Sequence, residues 1–391
     1  MIKRRLSAII SVIIICCLGL ALYFTAANVG FSKLKAYFSD FVFSEEFKDE
    51  QPLSLYNFKK LNKTEKQAYV CIFESIKKHP EYIKIPSLTN DEFRNVYFSV
   101  KNDNPDILCF PDACDMITFF NSGFIHFDYT RDSVECDTMM TELSSQINQI
   151  VSGCSFTDEY EKELFCHDYI ILNCSYDENA ANGSDAYGCL VDKTAYCSGY
   201  SRAMMLLLDA VGVDSILVSG NAIVSGDEQE SHMWNIVWID SVPYHLDVTW
   251  DDQDRNGQFA PHMYFNTTTD TISVSHSDFS VDIQCISADA NYFVRENLSF
   301  NRIDNNTVKI ITDRLNENIL NNSPFVEFVF TDDAVYNDAV DNYFTSESYN
   351  SAFYRIIEKL SVQSKELIDV THINTVEDNE LKYIRLMFDK K

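Results

Sequence analysis

Three residues at three places in this chain are of types that can do nucleophilic chemistry together. Cys197 stands in Tyr196-Cys197-Ser198-Gly199-Tyr200-Ser201-Arg202-Ala203, directly ahead of the apolar run Met204 to Val211. That spacing predicts a helix beginning at the cysteine, with Gly199 allowing close backbone approach and Gly212 as the C-terminal cap. A thiol there meets unsatisfied backbone N–H groups and the positive end of the helix dipole, which favour the nucleophilic thiolate. Most buried cysteines are structural hydrophobes, so the assignment leans on what lies 35 and 50 residues further on. There Ser231-His232-Met233-Trp234-Asn235-Ile236-Val237-Trp238-Ile239 and Val242-Pro243-Tyr244-His245-Leu246-Asp247-Val248-Thr249-Trp250 flank the polar pair Asp240-Ser241. The pattern predicts an antiparallel hairpin. With the turn at Asp240-Ser241, Trp234 faces Asp247 and His232 faces Thr249. His232 and Asp247 then share a face as diagonal neighbours, about 7–8 Å apart at Cα, and a one-residue slip would separate them. Cys197 as nucleophile, His232 as general base and acid, and Asp247 as orienting carboxylate make a set for thiol-dependent acyl transfer.

The same stretches resemble the transglutaminase-like superfamily, the papain-like core shared by transglutaminases and cysteine peptidases. The resemblance rests on Tyr187-Gly188-Cys189-Leu190 ahead of Cys197-Ser198-Gly199-Tyr200, then His232-Met233-Trp234-Asn235, then His245-Leu246-Asp247-Val248-Thr249-Trp250-Asp251-Asp252. Upstream, Glu161 to Leu164, His167-Asp168-Tyr169 and Tyr176-Asp177-Glu178 continue it, as does Tyr264-Phe265-Asn266 downstream. It implies an α+β papain-like core acting on protein or peptide substrates, by peptide hydrolysis or amine cross-linking, without a cofactor. Two departures are Asp240-Ser241, where the family usually has Asp-Gly, and Pro243, where an aromatic is common. A proline in that strand removes a ladder donor and points to an edge or a bulge. A catalytically silent scaffold that binds protein or cell-wall partners stays open as the alternative.

The chain must also carry elements that position these residues. Its 391 residues, 46% apolar, allow two or three domains. The net charge of −28 argues against a nucleic-acid partner, because phosphate binding needs clustered Lys and Arg. Residues 1–28 open with Lys3, Arg4 and Arg5, followed by 22 uncharged residues, Leu6 to Ala27. As a helix that run is about 33 Å long, enough to cross a bilayer. The basic flank places the chain beyond this run outside the cytoplasm, membrane-anchored, or secreted if cleavage occurs after Thr25-Ala26-Ala27. Residues 29–55 read as a linker.

Residues 56–155 read as a mainly helical domain. Helices are expected after Asn62 and Asn90 and over Thr138 to Val151, with strands at Ile107 to Phe110 and Phe124 to Tyr129. Residues 156–285 form the expected catalytic core. Residues 286–391 read as a small α+β, βαβ-like domain with helices over Val308 to Leu320, Asp333 to Phe344 and Tyr349 to Leu360, and strands at Phe325 to Phe330 and Glu380 to Phe388.

Of twelve cysteines, Cys16 and Cys17 fall in the apolar run, and no Cys-x-x-Cys or zinc-like spacing occurs. Cys109 with Cys114 is one conceivable disulfide. Asp252 to Gly257 imitates the first half of a calcium loop, but its twelfth position is Met263 rather than glutamate. A polar turn explains the same residues, so no metal is expected. His245 is expected to pack or hydrogen-bond, His167 and His262 have no nucleophile beside them, and His276 is placed at the cleft rim. Trp234 and Trp250 are expected in the core beside the triad. Oligomeric state is not legible.

Overall fold

The computed structural model describes residues 55–111, 113–119, 122–225, 228–252, 259–342 and 352–391. The apolar N-terminal run and most of the calcium-like stretch lie outside them. Among the described residues no helix is long and apolar enough to cross a membrane. The chain divides into two compact units, one ending at Thr141 and the other running from Glu142 to Lys391.

In the first unit, α1 (Tyr56–Lys60) and α2 (Lys63–Ile76) lead to β1 (Tyr82–Pro86), α3 (Asn90–Asp103), β2 (Cys114–Phe119) and β3 (Ser122–Phe127). Asn62 caps α2 and Thr89 caps α3, each closing a capping box with the glutamate three residues on, Glu65 and Glu92. The strands form an antiparallel sheet in the order β1-β3-β2. Its hydrophobic partners include Tyr69, Ile72 and Ile76 of α2 and Val96 and Val100 of α3, the positions that recur at helical spacing. Sequence pattern predicts a strand at Ile107 to Phe110. That segment is instead irregular, with Cys109 in the left-handed region at φ 59°. Cys109 bonds to Cys136 and not to Cys114, which is free. The boundary between the units falls within α4 (Ser133–Val151).

The second unit continues with α5 (Glu159–Asn173), β4 (Ser175–Tyr176), a π-helical turn at Gly188–Asp192, β5 (Thr194–Ala195) and α6 (Cys197–Val211). Then come β6 (Ser215–Ser225), β7 (Glu228–Ile239), β8 (Val242–Leu246), α7 (Val248–Asp251), α8 (Thr269–Ile272) and β9 (His276–Ser277). The order β8-β7-β6-β9 makes β8 an edge strand, so Pro243 leaves no central partner unbonded. Helix α6 packs against β7 and β6, burying Ala203, Met204, Leu207 and Leu208. After α9 (Tyr292–Arg295), β10 (Ser299–Phe300) runs through α10 (Asn305–Leu320) into the parallel strand β11 (Phe325–Phe330), a small βαβ unit. The helices α11 (Asp333–Asn342), α12 (Ala352–Lys359) and α13 (Val362–Leu367) precede β12 (Ile368–Asp378) and β13 (Tyr383–Lys390). These complete a second sheet in the order β10-β11-β13-β12.

Candidate active site

Helix α6 begins at Cys197 and ends with Gly212 in the left-handed conformation, φ 73°, as the sequence spacing requires. Gly199 in its first turn admits no side chain: a Cβ there would lie 2.3 Å from the Gly183 carbonyl oxygen. The Ser201 hydroxyl lies 2.8 Å from both the Cys197 and the Met233 carbonyl oxygens, and Asn235 donates to the Ser201 carbonyl at 3.1 Å. These bonds stitch the start of α6 to β7 beside His232.

The hairpin turns at Asp240-Ser241, both with positive φ (51° and 67°), the signature of a type I′ turn. Ile239 faces Val242 and Asn235 faces Leu246, the expected register. The second strand ends earlier than expected. Asp247 leaves the ladder and becomes the N-cap of α7, accepting from the backbone N–H of Thr249 (3.0 Å) and Trp250 (3.1 Å). Thr249 and Trp250 are therefore helical and do not continue the pairing opposite His232.

Capping uses Oδ1 of Asp247. Oδ2 meets His232 Nε2 at 2.6 Å. Cys197 and His232 line one cleft, and the sulfur is near enough to favour charge on the imidazole. The structure thus brings the three expected residues together. His232 lies stacked beside the wholly buried Trp234 ring, with Trp250 at 5.8 Å between ring centres. A cleft of about 450 Å³ opens over Cys197 and His232, lined also by Tyr176, Glu178, Tyr196 and Glu230.

Burial opposes charge on His232. The charge of Asp247 and its hydrogen bond, with the sulfur of Cys197 adding to them, outweigh that penalty and raise the imidazole to about 10. Burial likewise opposes the Asp247 carboxylate, but the His232 charge and the bonds from His232 and His276 hold it well below the usual range. The ionised pair is the stable state of this site at neutral pH.

His276 is not at the rim. It is buried, with Nε2 3.0 Å from Asp247 Oδ2 and Nδ1 2.8 Å from the Ser275 hydroxyl. It gives the triad carboxylate a second imidazole partner that sequence reasoning missed, because the two-residue strand β9 carries no readable periodicity. His245 is buried, accepts from Trp234 Nε1 at 3.1 Å and lies 3.2 Å from the Thr269 hydroxyl. Burial pushes it down to about 4, so it stays neutral in the core.

A second buried cluster joins His167, Asp168 and His262. Asp168 Oδ1 lies 2.9 Å from His167 Nδ1 and 2.9 Å from His262 Nε2, while the outer nitrogens meet Asp251 (3.1 Å) and Glu327 (2.7 Å). The ligand-type atoms of this set lie within 4.8 Å of one another, as do those of His232, Asp247 and His276. Both ring nitrogens of His167, His262 and His276 and Nε2 of His232 already have hydrogen-bonding partners, so the geometry is that of hydrogen-bonded imidazole–carboxylate arrays. We assign neither to a metal.

Comparison with known proteins gives solved structures of low similarity, among them these three. A TGase shares 15% identity, covering 36% of this chain and 44% of its own, at a TM-score of 0.24. A candidate cysteine protease from Cytophaga hutchinsonii shares 12%, covering 36% and 62%, also at 0.24. A candidate protease from Parabacteroides distasonis shares 10%, covering 34% and 35%, at 0.21. This chain therefore spans less than two thirds of each of them. No curated protein matches it. The family model of the transglutaminase-like superfamily matches residues 147–250, the segment that holds Cys197, His232 and Asp247, and this chain accordingly carries a transglutaminase-like core.

Proposed function

We propose that Cys197, His232 and Asp247 are a catalytic triad for thiol-dependent acyl transfer on protein or peptide substrates. The observation that carries this reading is the buried 2.6 Å bond between His232 and Asp247, with Cys197 at the start of α6 lining the same cleft as His232. The thiol proton resides on the His232 imidazole, and the Cys197 thiolate attacks the carbonyl carbon of a carboxamide or peptide. The developing oxyanion lies within reach of the Cys197 backbone N–H at the helix start, where one such donor is worth about 2.7–4 kcal/mol. His232 then protonates the leaving amine. Water or a second amine resolves the thioester, giving hydrolysis or cross-linking. Asp247 holds the ring orientation throughout. The reading includes an extracytoplasmic location, membrane-anchored or secreted, supported by the basic flank before the apolar N-terminal run. A Cys109–Cys136 disulfide suits an oxidising compartment.

The test is peptide-resolved alkylation by iodoacetamide at pH 6, where an ordinary thiol of pKa about 8.5 is almost wholly protonated. Cys197 is expected to react far faster than Cys154, an exposed free cysteine, and to slow on His232→Ala. A Cys197 indifferent to His232 overturns the reading and leaves the core as a binding scaffold. With a reactive thiol established, incorporation of a fluorescent primary amine into casein, set against release of peptide fragments, separates transfer from hydrolysis.

A further inference from the structure

Six buried or half-buried side chains outside the triad form one unbroken ladder. Tyr383 of β13 donates to Glu327 Oε2 at 2.8 Å, and Glu327 of β11 also accepts the His262 backbone N–H at 3.2 Å. Glu327 Oε1 meets His262 Nδ1, His262 Nε2 meets Asp168 Oδ1, Asp168 Oδ1 meets His167 Nδ1, and His167 Nε2 meets Asp251 Oδ2. From Glu327 to Asp251 carboxylates and imidazoles alternate. Asp251 is the last residue of α7, the one-turn helix that Asp247 caps.

Both ends of α7 are tied to one peptide unit pair. The Asp247 N–H donates to the Tyr264 carbonyl at 3.2 Å, and the Tyr264 N–H donates to Asp251 Oδ1 at 2.8 Å. Within the helix the Asp251 N–H returns to the Asp247 carbonyl at 3.2 Å. A four-residue helix is too short to hold its own direction, since its few hydrogen bonds barely exceed the nucleation cost. What fixes the aim of Asp247 must come from outside α7, and the Asp251 carboxylate is the handle the rest of the molecule holds.

We propose that Asp251, His167, Asp168, His262 and Glu327 are positioning residues that aim the Asp247 carboxylate at His232, anchoring the triad on the C-terminal sheet. This rests on the triad reading above. The electrostatics agree with a ladder of charges. Burial opposes His262, but Asp168 and Glu327 outweigh it and raise it to about 10, while the two imidazoles bring Asp168 down to about 2 against its own burial. The C-terminal segment is then part of the machinery that sets the triad geometry.

The experiment uses the intact chain with 15N-labelled histidine and follows two quantities, the titration midpoint of His232 by NMR and the Cys197 alkylation rate at pH 6. Asp247, Cys197, His276, Trp234 and Trp250 surround the His232 ring, and the variants replace none of them. Asp251→Asn and Glu327→Gln are expected to lower the midpoint by about one pH unit, a tenfold loss of proton affinity, and to slow alkylation about tenfold. Tyr383→Phe removes a single oxygen at the far end and is expected to shift both readings a smaller way in the same direction. It carries the test if a charge variant does not fold.

Phe328→Leu, in the buried core of the same sheet, is expected to lower the melting temperature without moving either reading. Ladder variants that leave midpoint and rate unchanged overturn the proposal, as does a Phe328→Leu shift as large as theirs. A parent Cys197 that reacts no faster than in His232→Ala overturns the triad reading itself, so the two failures are told apart.

Discussion

Replacing Asp247 by asparagine removes one charge and, with Oδ1 kept on the helix cap, puts an NH2 donor in place of the Oδ2 that meets His232 and His276. Asparagine caps helices as well as aspartate, so the bonds from the Thr249 and Trp250 N–H groups to Oδ1 can persist. What is lost is the attraction that lifts His232 from its ordinary 6.5 to about 10 against burial. A group whose pKa is raised on folding contributes stability that is complete below its unfolded pKa and vanishes as pH rises through the folded value. For His232 the window is therefore pH 6.5 to about 10. At pH 7 most of the contribution is present. Three of the three and a half units, at 1.36 kcal/mol each, give about 4 kcal/mol, within the 3–5 kcal/mol that breaking a buried pair costs. The same interaction depresses Asp247, whose share is lost only in acid, below its ordinary value, so it is counted once and lies outside this window. Asp247→Asn is expected to cost about 3–4 kcal/mol more at pH 7 than at pH 10. All three tryptophans, Trp234, Trp238 and Trp250, lie in the second unit, so urea unfolding followed by tryptophan fluorescence reads that unit alone. His262, raised in the same range, is present in both proteins and cancels in the difference. A gap between parent and variant that stays constant from pH 7 to 10 would refute the ion pair.

Three further outcomes are expected. Ser241→Gly replaces a residue held at φ 67°, a conformation that costs an L-residue about 1–2 kcal/mol. Glycine's extra freedom in the unfolded chain offsets about 0.5–1 kcal/mol of that, leaving a net gain of up to about 1 kcal/mol in the same urea assay. Cys109→Ala with Cys136→Ala opens a cross-link between residues 27 apart and should cost the first unit about 3.5 kcal/mol, read by far-ultraviolet circular dichroism. Glu178 and Glu230 line the cleft, and no lysine or arginine does so among the described residues. A trimethylammonium methanethiosulfonate should therefore modify Cys197 about tenfold faster at low salt than its sulfonate counterpart. The preference should shrink in high salt and in Glu178→Gln with Glu230→Gln, and an unchanged ratio would discount the two carboxylates.

The parts of the site that were legible in the sequence are those set by local rules. Helix α6 is bounded by Cys197 and Gly212 because a glycine past an apolar helical run is a local stop signal. The hairpin register follows from two residues in its turn, and Pro243 announced the edge strand. The misreadings arise where a local group had two uses. Asp247 fits an alternating strand, yet its carboxylate caps α7, and capping turns the chain just where sequence pattern extended the ladder. Cys109 sits in an apolar tetrapeptide that reads as a strand, and its bond to Cys136 holds it in an irregular segment. His276 and the ladder were out of reach for a different reason. Their partners lie 29, 65, 84 and 94 residues away and follow no period. A sequence pattern can therefore name a nucleophile, a base and a carboxylate, because each sits in a local element with a recognisable start. The direction in which the carboxylate points is fixed by contacts with no local signature. Whether the same three residues in another chain form a working set depends on what holds the turn after the last strand, and in this chain that turn is held by His167 through Asp251.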